Sequence, residues 1–175
     1  MNRTALFAIL LALTALPAMA QEYAPITGAF GFELGQVVDE ATLNYSHKSG
    51  LEPLGTVTYT VEPPTPSRFF SLYSLVVDLS TMRIVQIRAQ SEDYSSETNI
   101  EADLNELIEA LTNKYGPGKQ PPELFDYELE SKGKSIAATN FGNAFLLIHY
   151  KDDEAFRALN NAYFEKQKDN DQDAL

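Results

Sequence analysis

The sequence predicts an α+β fold in which an antiparallel sheet is covered by two main helices, with a short N-terminal helix beside them. Residues 56–61 alternate strictly, with Val57, Tyr59 and Val61 on one face and Thr56, Thr58 and Thr60 on the other, the period of a half-buried strand. An apolar stripe at Ile100, Leu104, Leu107, Ile108, Leu111 and Tyr115 has helical spacing. Strand and turn patterns then return over residues 124–150 and end in a second helical pattern. The element order is βββα-βββα, two successive three-stranded meanders, the first unit over 56–115 and the second over 123–167. No sequence identity between the units is evident, so a pseudo-repeat rests on element order alone. The short 116–122 connection favours one domain over residues 30–168, followed by an acidic, frayed tail at 169–175.

The chain opens with Arg3 in a short basic start, an apolar run over residues 5–16, and Ala18-Met19-Ala20. This is the form of a cleavable bacterial secretory signal, with cleavage expected after Ala20. The apolar run is short for a bilayer span, and no Cys follows it to take a lipid. A periplasmic or secreted product without a membrane anchor is expected. The 175 residues hold 13 Lys and Arg against 25 Asp and Glu, a net charge of −12. Loss of Arg3 leaves 12 basic residues against 25 acidic ones, so the mature charge is −13. Such a charge disfavours nucleic acid and anionic lipid and favours basic partners. With no cysteine, the chain has no disulfide, thiolate metal site or cysteine nucleophile.

Residues 21–29 form a short lead, in which Pro25 and Gly28 argue against regular structure. Phe30-Gly31-Phe32 suggests a short strand or a turn at which glycine lets the backbone approach a neighbour. Val37, Val38, Ala41 and Leu43 have the spacing of the short amphipathic helix, and the polar stretch 44–53 reads as a loop. In the first meander, the prolines at 63, 64 and 66 end a strand, Phe69 opens the next, and Asp78-Leu79-Ser80-Thr81 turns into a third over 83–90. Simple alternation puts Arg83 and Arg88 of that strand on opposite faces. The first helix has a capping box at Thr98 and Glu101, acidic residues at its start, and Lys114-Tyr115-Gly116-Pro117 at its end. In the second meander, Ser131-Lys132-Gly133-Lys134 and Gly142-Asn143 are turns. An Asp at 152 or 153 then caps a helix carrying Ala155, Phe156, Leu159, Ala162 and Tyr163 toward a core, with a polar tail from Lys166.

Fragments of catalytic motifs occur out of context. Ser131-Lys132-Gly133-Lys134 matches S-x-x-K, whose nucleophile belongs at a helix start, but here it lies in a hairpin turn. Lys48-Ser49-Gly50 resembles its K-T-G companion in the wrong order. His47 falls in a polar stretch and His149 on a strand, and no G-x-S-x-G elbow accompanies either. Asp169-x-Asp171-x-Asp173 has EF-hand spacing without the glycine or the distal Glu. No cofactor, metal or catalytic residue is predicted.

The candidate binding surface is the loop carrying Pro63, Pro64, Pro66, Arg68 and Phe69. Prolines limit the entropy lost on binding, Arg68 offers a planar fork and Phe69 an anchor. The class best matched is an exported, non-enzymatic binding or accessory module. An acidic inhibitor or sequestering partner of a basic envelope protein is one alternative, and a hydrolase of unrecognised type is another.

Overall fold

A computed structural model describes residues 22–51, 54–94, 100–119 and 125–173. The signal segment, Thr98 of the capping box and the last two residues lie outside the described residues. Among the described residues the fold is α+β, with antiparallel sheets and two helices. Strands β1 (Gly28–Ala29) and β2 (Phe32–Glu33) form a miniature hairpin. The main sheet comprises β3 (Tyr45–Leu51), β4 (Thr56–Val61), β5 (Leu72–Asp78), β6 (Arg83–Gln90), β7 (Tyr127–Ser131), β8 (Lys134–Phe141) and β9 (Phe145–Asp152). Helix α1 spans Ile100–Tyr115 and α2 spans Asp153–Asp173. The sheet order is β3-β4-β5-β6-β9-β8-β7, with every neighbour antiparallel. β6 and β9 therefore meet in its interior.

Alternation sorts the strand residues into two faces. The first carries Val57, Tyr59, Leu75, Val77, Ile87, Ala89, Ile136, Ile148 and Tyr150, all buried. Helix α1 lays Leu104, Leu107, Leu111 and Tyr115 onto it, and Ile26, Phe32, Leu34 and Val38 of the N-terminal segment join the same core. Gly116 ends α1 at φ +106°, a conformation that side chains rarely adopt, and its N–H bonds to the Thr112 carbonyl. The N–H of Ala24 satisfies the Lys114 carbonyl in the last turn, so the N-terminal segment is tied to the helix end.

The second face is partly covered by α2, which contacts β6, β8 and β9. Val76 and Ala137, pointing away from the first core, are only 3% exposed beneath this layer. Asp152 caps α2 by accepting from the Ala155 N–H at 2.9 Å. Ala155, Phe156, Leu159 and Tyr163 are half-buried, whereas Ala162 is exposed. The helix continues to Asp173, past the polar tail expected from Lys166 and the frayed one from 169. A two-fold rotation exchanging antiparallel β6 and β9 would put both helices on one face. They lie on opposite faces, so the similarity of element order does not extend to the packing.

Several expectations are corrected. Residues 37–43 form no helix. Val37 bridges to Arg83, and the Val38 N–H bonds to the Met82 carbonyl, so the segment runs as an extended strap along β6 beyond the point where β9 leaves for α2. Asp39 then turns the chain, its carbonyl accepting from the N–H groups of Thr42 and Leu43. The expected loop at 44–53 contains β3, an edge strand paired to β4, which makes the first meander four-stranded. β5 begins at Leu72 rather than Phe69, because the Phe70 N–H bonds to the Ser67 carbonyl in a turn. Finally, the register slips between Val76 and Val77 of β5, whose partners are Gln86 and Ile84. Val85 is the extra residue of this bulge, and the alternation that set Arg83 against Arg88 does not carry across it.

Candidate functional site

The proline loop is held by its neighbours. The tip of the β1–β2 hairpin, Phe30 and Gly31, has positive φ at both residues, as a tight two-residue turn requires. A Cβ on Gly31 would lie 2.7 Å from Cβ of Pro64, so glycine permits the close approach expected from the sequence, and its partner is the loop. The Thr65 N–H reaches the Phe30 carbonyl, and Phe30 sets its ring edge-on to Phe70, Tyr73 and Tyr150. Tyr73 Oη accepts from the Ser67 N–H at 2.8 Å and donates toward the Phe70 carbonyl at 2.9 Å. Tyr73→Phe leaves the ring and strands these backbone groups. It is expected to lower stability by about 1–3 kcal/mol in denaturant unfolding, with the loss centred on the 62–71 loop.

Of the predicted binding residues, Pro63 is half-buried, Pro64 sits on Gly31, and Pro66 is exposed. Arg68 is exposed, forms an ion pair with Glu106 of α1 and lies 4.5 Å over the Phe69 ring. Arg68 and Phe69 line a groove of about 320 Å³ with Glu92, Asp93, Tyr94 and Asp103, in which three carboxylates face one cation. The three prolines do not line this groove.

A second hollow, of about 430 Å³, lies on the half of the second face that α2 leaves open. Register brings its residues together. Ser74 pairs with Arg88, Arg88 with His149, and His149 with Ala137, forming one row across β5, β6, β9 and β8. The adjacent row carries Leu72, Gln90 and Leu147. Phe125, just ahead of β7, stands edge-on to His149 with ring centroids 5.2 Å apart. Gln86 is buried, and its Oε1 accepts from Arg88 Nε at 2.9 Å and Nη2 at 2.7 Å, fixing the plane of the guanidinium. None of the described residues lining this hollow is acidic.

Electrostatics distinguish this hollow from the groove beside Arg68. Lys48, Arg68, Lys119 and Lys151 each pair with a carboxylate. Arg88 has no such partner among the described residues. It retains solvent exposure, yet burial against its neighbours lowers its pKa below the ordinary arginine value. Burial, reinforced by Lys151 and Arg88 and opposed by Asp153, brings His149 down to about 4. At neutral pH its imidazole is uncharged, with one donor and one acceptor nitrogen.

The motif fragments fall elsewhere. Lys132 and Gly133 are the two-residue turn between β7 and β8, both at positive φ. Lys48-Ser49-Gly50 and His47 lie on exposed β3. Among the described residues, no three His, Cys, Asp or Glu side chains are placed to hold a metal ion, and no helix is long and apolar enough to cross a membrane. Sequence reasoning passed over Arg88 as a binding residue. The available clue was Gln86, Arg88 and Gln90 recurring at every second position of a strand with apolar neighbours. Comparison with family models, with curated proteins and with solved structures found no match.

Proposed function

We propose that the protein is an exported, non-enzymatic binding module that presents the hollow around Arg88 and His149 to its ligand. The observation that carries this reading is a guanidinium without a carboxylate partner among the described residues, in a hollow whose described lining holds no acid, on a chain of net charge −12. Lys48, Arg68, Lys119 and Lys151 are each offset by a carboxylate, whereas Arg88 stands in a concave site without one, which on so acidic a chain suits an incoming anion. His149 serves such a site better as a neutral hydrogen-bonding group than as a base. A group titrating near 4 is a weak proton acceptor at neutral pH, and no described side chain hydrogen-bonds to it. The test is side-chain NMR of the protein mixed with small-molecule and macromolecular fractions of envelope extract. Saturable shifts of His149 and of the Gln86 and Gln90 amides are expected. Shifts confined to the 62–71 loop and α1, or none with any fraction, would overturn the assignment.

A second reading, an acidic inhibitor of a basic envelope protein, is favoured by Glu92, Asp93 and Asp103 in the groove beside Arg68 and Phe69. That complex should weaken steeply between low and physiological salt, and Arg68→Ala should alter it without unfolding the chain. Binding insensitive to salt would remove this reading.

A further inference from the structure

Resting on the proposed role of the sheet hollow, we infer that its ligand is an organic carboxylate carrying an apolar body. The guanidinium supplies the first half of this recognition. Gln86 Oε1 occupies Nε and Nη2 of Arg88, leaving the Nη1 donors without an acceptor among the described residues. A planar carboxylate matches a planar fork, and one cation in the hollow suits one negative charge.

The walls supply the second half. Leu72 and Leu147 flank Gln90 in the row beside Arg88, and Phe125 closes the side next to His149. Leu72 is 44% exposed, a large apolar side chain left in solvent at the rim of the hollow. A volume of about 430 Å³ falls within the range of small-molecule sites. The Ser74 hydroxyl, the Gln90 amide and the neutral imidazole of His149 add hydrogen-bonding capacity without adding a charge that would compete with Arg88. Inorganic phosphate and sulfate fit the cation but leave the apolar walls unused. A neutral apolar ligand would leave the guanidinium desolvated and unpaired.

The test compares phenylacetate with phenylacetamide, the same ring and linker with the charge removed, by NMR titration of the full chain to about 10 mM, suited to a weak probe of a larger ligand's site. Phenylacetate should shift Arg88 Nε–H, the Gln86 amide, His149 and Phe125 together. Phenylacetamide should bind at least about tenfold more weakly, as should phenylacetate to Arg88→Gln. Lys119→Gln, at an exposed ion pair with Glu130 outside the hollow, should bind as the parent does. The comparison of acid and amide on the parent protein stands even if Arg88→Gln does not fold. Equal affinity of acid and amide, with shifts at these residues, would overturn the carboxylate assignment while leaving the hollow as a binding surface. An absence of shifts there with both probes would overturn the carboxylate assignment too, and the extract titration then decides independently whether the hollow binds anything.

Discussion

Ile87→Ala is expected to destabilise the protein by about 2–5 kcal/mol, a large fraction of the stability of a domain of this size. Ile87 is 1% exposed and sits on β6 between Leu75 of β5 and Tyr150 of β9. Its side chain faces the core shared with α1. Truncation removes three methyl or methylene groups, and strands paired on both sides cannot move inward to close the space. Leu72→Ala removes as many carbons from a side chain that is 44% exposed, and its effect is expected below about 1 kcal/mol. Urea unfolding of the two variants measures the contrast. Equal losses would mean that β6 is not an interior strand of the sheet.

The contrast follows from features that are partly legible in the sequence. Helix α1 could be read because its stripe, its acidic start and its glycine stop describe one element. β4 could be read because Val57, Tyr59 and Val61 are buried on one face while Thr58 and Thr60 are only half-buried on the other, which writes the strand period into the residue types. β3 has no such imprint. Its side chains are exposed from Tyr45 to Gly50, and it is a strand because β4 offers it a ladder. The strap at 34–38 is extended for a similar reason, since β6 continues past the end of β9 and leaves backbone groups to satisfy. The spacing of Val37, Val38, Ala41 and Leu43 gave the segment from Val37 a helical appearance that the backbone pairing at Val37 and Val38 overrides. The candidate site was hidden by distance along the chain. Nothing in the residues near Arg88 shows that His149 will lie beside it, and the bulge at Val85 changes the face count by one.

His149 should make the protein progressively less stable as pH falls below about 6.5, by about 3 kcal/mol once pH has passed its folded value of about 4. Burial lowers the folded value first, with Lys151 and Arg88 acting in the same direction and Asp153 against them. The unfolded chain has none of this shielding and takes up a proton near 6.5. Between these values the unfolded state binds more protons than the folded one, so stability rises with pH and is fully present above the upper value. Carboxylates also begin to titrate at the lower end of the window, which makes the parent's pH profile a composite. His149→Gln removes the titrating group while keeping a polar side chain beside Phe125. The difference between parent and variant unfolding free energies, measured from pH 7 to pH 4, is therefore expected to carry the histidine contribution. A difference that stays constant across that range would show that the imidazole is as well solvated in the folded hollow as in the open chain. A solvated imidazole would also weaken the case for a site sufficiently withdrawn from water to favour an anion at Arg88.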